Sequence, residues 1–123
     1  MFNTRKVTIN NNEYEFINEC GSRGSYGFYH YTELFKNGIR ETTNRCNYIN
    51  RTWENYQYQS VMLGAIYNLI EHRTELLKEI FKEVNGYKKL TKTRLEEFEK
   101  ELAKDKQIEE LKQLRTEIRG NVW

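Results

Sequence analysis

Proline is absent from this 123-residue chain, and glycine occurs only seven times. Turns must therefore be built from Gly and from Asn, whose short polar side chain tolerates positive φ. Asn is correspondingly abundant, with thirteen copies. Cysteine is scarce as well. Two copies cannot make a disulfide scaffold, so a reducing cytosol is the expected location. No apolar run approaches the roughly 18 residues of a membrane span, and the opening MFNTRKVTINNN lacks the apolar core of a signal peptide. A membrane or secreted protein is not expected. Net charge is also small, with 20 Lys and Arg against 18 acids giving +2. That balance excludes an electrostatic case for a dedicated nucleic-acid binder. Aspartate occurs once, at position 105.

What is present is aromatic. Nine Tyr, six Phe and two Trp carry much of the 37% apolar share, and Tyr covers surface with its ring while its hydroxyl stays wet. In the first third of the chain the apolar period is two. Val7 and Ile9 alternate with polar neighbours, Asn10-Asn11-Asn12 supplies a turn, and Tyr14 and Phe16 resume the alternation, which predicts a hairpin. Gly21-Ser22-Arg23-Gly24-Ser25-Tyr26-Gly27 reads as a loop, because three Gly in seven residues weaken any regular element. Residues 28–35 are β-prone, Asn37-Gly38 is a strong hairpin signal, and residues 39–49 form the polar return strand.

From Asn50 onward the period becomes helical. Asn50 or Thr52 can cap a helix, and Tyr58, Met62, Ala65, Ile66, Leu69, Ile70, Leu76, Leu77, Ile80, Phe81 and Val84 follow three-and-four spacing. Arg73 interrupts the stripe, so residues 53–85 read as one helix or as two joined near His72–Thr74. Asn85-Gly86 is a stop signal. Thr93 with Glu96 reads as a capping box opening a second long helix, about 40 Å at ~1.5 Å per residue, whose stripe slips between Leu102 and Ile108. The expectation is an α+β fold: a small antiparallel sheet of about four strands packed on a helix, followed by a long C-terminal helical hairpin. Residues 1–72 form the core and 73–123 the extension, within a single domain. The helix beginning near residue 53 is expected to lie close to the sheet where Gly64 and Ala65 keep its surface low.

No pattern of catalytic residues stands out. Cys20, His30, Cys46 and His72 lack the paired ligands, two to four residues apart, of a structural zinc site. The glycine-rich loop matches neither phosphate-binding fingerprint. Neither a metal nor any other cofactor is expected, nor an enzyme. Two clusters attract attention. Residues 48–60 concentrate Arg51, Trp53, Tyr56 and Tyr58 at a strand-to-helix junction, which reads as a cap over the sheet, as a binding hot spot, or as a base-stacking platform. Lys88, Lys89, Lys92 and Arg94 form a local basic knob without an acid among them, either a solvated turn or a phosphate contact.

Gly27-Phe28, His30, Leu34-Phe35-Lys36-Asn37-Gly38 and Tyr48-x-Asn50-Arg51-Thr52-Trp53-Glu54-x-Tyr56-x-Tyr58-Gln59-Ser60-Val61 together resemble a small protein type of phages and prophages. The likeness covers about residues 6–70. That type carries no assigned activity, so the resemblance implies a genomic context. In that context the chain is expected to be a non-enzymatic inhibitor that binds a host defence protein, a CRISPR effector nuclease being the favoured target, as anti-CRISPR proteins do. The expected contact residues are Arg23, Tyr26, Tyr29, Tyr31, Arg51, Trp53 and Tyr56. The alternatives are a nucleic-acid-binding accessory factor acting through Lys88, Lys89, Lys92 and Arg94, and an adaptor that homodimerises as a coiled coil through 73–119.

Overall fold

The computed structural model describes residues 2–48 and 55–120, without the side chains of Phe2, Tyr26, Tyr48, Asn55, Tyr56 and Gln57. Four strands, β1 (Phe2–Ile9), β2 (Asn12–Ser22), β3 (Phe28–Lys36) and β4 (Ile39–Tyr48), form one antiparallel sheet in the order β1-β2-β3-β4. Three helices follow: α1 (Asn55–Asn85), α2 (Lys92–Leu102) and α3 (Lys106–Gly120). The class is α+β, as the change of period implies. Helix starts before Asn55, including the Asn50 and Thr52 caps, lie outside the described residues.

Both two-residue hairpins have positive φ at both central positions, 51° and 65° at Asn10 and Asn11, 51° and 82° at Asn37 and Gly38. This backbone twist matches that of the flanking strands. The two turns are stitched together. Asn37 accepts at Oδ1 from the Glu13 amide (2.9 Å) and donates from Nδ2 to Asn12 Oδ1 (3.0 Å). Between β2 and β3 the chain makes a short 3-10 turn at Gly24–Tyr26, so the glycine-rich loop is shorter than its composition suggests. Gly21 and Ser22 belong to β2. A Cβ on Gly21 would lie 2.5–2.7 Å from the Tyr29 ring and hydroxyl, so the glycine there makes room for its cross-strand partner.

One face of the sheet is the core. Tyr14, Phe16 and Cys20 of β2 and Leu34 of β3 bury against Tyr58, Met62, Ala65 and Ile66 of α1 and Leu111, Leu114 and Ile118 of α3. The close approach of α1 expected at Gly64 is present. Asn44 of β4 fills the space a side chain there would need, and its Nδ2 donates to the Val61 carbonyl at 3.0 Å. Helix α1 is continuous through His72–Thr74, with Thr74 Oγ1 bonding back to the Ile70 carbonyl (2.7 Å). It ends as expected: Gly86 has φ 68°, its amide reaches the Glu83 carbonyl and that of Tyr87 the Lys82 carbonyl, a complete Schellman closure.

Beyond Gly86 the expectations need correction. The capping residue of α2 is Thr91, whose side chain accepts from the Arg94 amide, so Thr93 and Glu96 lie inside the helix and form no capping box. Nor is there a single 40 Å second helix or a hairpin projecting as one piece. The chain breaks between Leu102 and Lys106, where the apolar stripe slips. Asp105 caps α3 by accepting from the Ile108 amide (3.0 Å), and Arg73 clamps that carboxylate with two hydrogen bonds of 3.0 and 3.3 Å. The break lets α2 and α3 take up different positions along α1. Helix α2 lies against its C-terminal half, with Phe98 5.5 Å from Phe81. Helix α3 turns back onto the sheet and runs antiparallel to the first half of α1, where Gln59 donates to the Ile118 carbonyl at 2.7 Å. A coiled-coil seam through 73–119 cannot use Leu111, Leu114 or Ile118, which are already in the core of the single chain.

Leu114→Ala should therefore lower unfolding free energy by about 2–5 kcal/mol, whereas Leu95→Ala, at a site 37% exposed, should change it by roughly 0.5 kcal/mol or less; urea titration measures both. The Arg73 hydrogen bonds hold the Asp105 carboxyl below its ordinary value of 3.8, with the Ile108 amide adding to the effect. A depressed folded pKa gives stability that is present above 3.8 and lost as pH falls through the lower folded value. Asp105→Asn should accordingly flatten the acid limb of a stability-against-pH curve.

Candidate interaction surface on the open sheet face

Alternation along the strands sends a second set of side chains to the face opposite the helices. The register places Glu19, Tyr31 and Arg45 in one cross-strand row, Ile17, Glu33 and Thr43 in the next, and Gly21, Tyr29 and Asn47 on the other side of the Tyr31 row. Among the described residues no helix covers this face, since α1 and α3 both lie on the other one. The row depends on a bulge in β4. Leu34 pairs with Thr42 and Phe35 with Arg40, leaving Glu41 without a partner. That extra residue shifts the alternation by one, so Arg45 faces outward beside Tyr31 while Asn44 faces α1.

The tyrosines here are partly covered by one another's neighbours. The Arg45 guanidinium lies 5.5 Å from the Tyr31 ring centre and 5.7 Å from that of Tyr29, and the Arg23 guanidinium lies 5.5 Å from that of Tyr29. Each phenol is directed by an acid: Tyr29 donates to Glu19 (3.3 Å) and Tyr31 to Glu33 (2.7 Å). The bond to Glu33 raises the Tyr31 pKa, with partial burial adding to it. The result is a rigid, half-buried aromatic strip with alternating cations and acids. Tyr and Arg in this arrangement form the kind of anchor that dominates protein interfaces.

The structure thus brings together three of the residues singled out in the sequence, Arg23, Tyr29 and Tyr31. Arg51 and Trp53 lie outside the described residues, as do the side chains of Tyr26 and Tyr56. Arg45, Glu19 and Glu33 were not anticipated. The signal for them was the Asn37-Gly38 turn, which sets the register up to the bulge but not past it. Lys88, Lys89, Lys92 and Arg94 do cluster, at the α1–α2 connection and the first turn of α2. Arg94 is already engaged, 4.1 Å over the Tyr87 ring and donating to the Lys89 carbonyl. Cys20, His30 and Cys46 fall into a single cross-strand row on the inner face. Cys20 Sγ there meets the Tyr58 hydroxyl at 3.0 Å, and the buried His30 ring stands edge-on to Tyr58. His72 is on the exposed side of α1.

A second polar constellation lies under α3. The Glu110 carboxylate, 9% exposed, accepts hydrogen bonds from the Tyr14 hydroxyl and from Asn12 (2.9 Å), with Lys36 at 3.8 Å. It borders a cleft of about 220 Å³ lined by Tyr14, Lys36, His72 and Arg73. Its donors come from β2 and β3 and converge on one carboxylate oxygen, Oε1, so the cluster acts as a tie between the sheet and α3. No family model, curated protein or solved structure matches the chain.

Burial, with the Glu110 bond and charge in support, pushes the Tyr14 hydroxyl well above its ordinary value of 10.0. A raised folded pKa means that this contribution is fully present below 10 and is lost as pH rises beyond it. Tyr14→Phe should lower stability at neutral pH by about 1–3 kcal/mol and remove part of the alkaline decline; urea midpoints collected from pH 7 to about 11 would measure the difference.

Proposed function

We propose that this chain is a non-enzymatic binding module that recognises another protein through the open face of its sheet. The observation that carries this reading is the uncovered strip of Tyr29 and Tyr31 held between Arg23 and Arg45. Two features support it. The rings are preorganised by Glu19 and Glu33, so little side-chain freedom is lost when a partner covers them. The strip also mixes both signs of charge around an aromatic centre, which suits a protein surface better than a polyanion. Among the described residues there is no group of three or more potential metal ligands.

On the likeness of residues 6–70 to small phage proteins, the partner is a host defence protein, and a CRISPR effector nuclease is the favoured target. The alternative reading, nucleic-acid binding through Lys88, Lys89, Lys92 and Arg94, is favoured by the clustering of three exposed lysines at one end of α1. It is weakened by the engagement of Arg94 with Tyr87.

The two readings predict different losses. Tyr31→Ala with Arg45→Ala should abolish co-elution with the target nuclease in gel filtration while leaving the circular dichroism spectrum unchanged. Reversing Lys88, Lys89 and Lys92 to Glu should leave that co-elution intact. A mobility shift of naked duplex DNA that weakens steeply with salt and vanishes in the lysine variant would instead establish the alternative.

A further inference from the structure

Helix α1 has 31 residues, about 46 Å at ~1.5 Å per residue, and the sheet supports only its first half. The overhanging half carries an apolar row at four-residue spacing that the described residues leave open: Leu76, Ile80 and Val84 are 47, 46 and 77% exposed. With α2 it forms a groove of about 670 Å³, floored by Leu77, Phe81, Phe98 and Leu102. An exposed apolar face of this kind marks an interaction site.

The charges around the groove are sorted by end. At the tip, where α1 passes into α2, Lys88, Lys89 and Lys92 are exposed cations with no acid between Tyr87 and Arg94. Towards the other end the wall is acidic: Glu97, Glu101 and Asp105 line it against a single cation, Lys104, which pairs with Glu101 at 3.6 Å. Asp105 is taken by Arg73 at 3.0 Å and Glu101 is shared with Lys104, so among the described residues Glu97 is the wall's acid without an ion pair. One chain therefore presents opposite charges at the two ends of one apolar groove. Such a surface complements itself when a second copy is laid across it antiparallel, because a two-fold axis brings each basic tip to the other copy's acidic wall. Parallel stacking would set tip against tip.

We propose that the α1/α2 groove is the contact face of a homodimer, occupied by a second copy of this chain running antiparallel. The pairing buries Ile80 and Val84 of both copies against the opposing groove and sets Lys88, Lys89 and Lys92 beside Glu97 and Glu101. Helix α3 takes no part, since its apolar side faces the sheet. The two-fold arrangement leaves the open sheet faces free, one on each copy, so the module presents two copies of its aromatic strip. The patch is short, at the small end of stable interfaces, and the dimer therefore dissociates on dilution.

Light scattering on the purified full chain between about 1 μM and 1 mM tests this directly. The mass should climb with concentration towards twice the 15.0 kDa of one chain. Ile80→Glu with Val84→Glu should hold it at the single-chain mass with an unchanged thermal unfolding curve. Lys88→Glu with Lys89→Glu should weaken association roughly tenfold, and mixing that variant with Glu97→Lys, Glu101→Lys should restore a dimer of the two. A wild-type chain that stays at the single mass throughout overturns the proposal, even where the groove takes another protein. So does a dimer that survives Ile80→Glu with Val84→Glu, or a failure of the charge-reversed pair to associate.

Discussion

A carboxylate that is 9% exposed must be given partners by the fold around it, and in this protein those partners decide where the last helix goes. Glu110 takes the Tyr14 hydroxyl, the Asn12 amide and the nearby Lys36 ammonium. All three come from the hairpin end of the sheet. An ionised side chain left buried without them would cost several kcal/mol, so α3 docks in one register along β1 and β2. With that register set, Leu111, Leu114 and Ile118 join the cluster to which Phe16 and Leu34 belong, and the core closes. A second clamp works at the start of the same helix, five residues before Glu110, where Arg73 holds the capping carboxylate of Asp105.

These two polar ties divide the C-terminal third of the chain into parts with different duties. Helix α3 belongs to the sheet, and α2 belongs to the overhang of α1. The division has a consequence for surfaces. Among the described residues the helices that meet the sheet, α1 and α3, lie on one face of it, which leaves the other as a two-dimensional array of tyrosines, arginines and glutamates whose positions are fixed by strand pairing. The overhang, meanwhile, keeps an apolar row that the described residues leave exposed. One molecule thus carries two unlike surfaces at some distance from each other, one aromatic and mixed in charge, the other apolar and polarised end to end.

Strand pairing explains why the open face is only partly legible from composition. The Tyr residues of β3 alternate in plain view, and Arg23 is conspicuous among glycines. Arg45 is not conspicuous, because its orientation depends on one residue without a cross-strand partner, Glu41, three positions past the turn that sets the register. Without that bulge Asn44 would stand beside Tyr31 and Arg45 would point at α1. A bulge is a compromise between neighbouring strands and the helix behind them, and no local preference around Glu41 announces it. The tie at Glu110 is hidden for a related reason: a glutamate on a helix rich in glutamates looks like any other until the sheet arrives beneath it.

Local chemistry was enough to determine the strands, their two tight turns and the end of α1. The positive φ required at Asn10-Asn11 and Asn37-Gly38, the Schellman closure at Gly86 and the change from a period of two to one of three and a half all act over a few residues, and each survives in the folded chain. The slip between Leu102 and Ile108, together with the chain's lone aspartate, also held the information for a helix break. Their meaning depended on Arg73, thirty-two residues away in sequence. Which helix lies on which surface, which face of β4 looks outward and where α1 runs past its support were settled only by tertiary contacts. Those choices follow from burying charge with partners and from pairing strands in register, and both are decided between residues far apart along the chain.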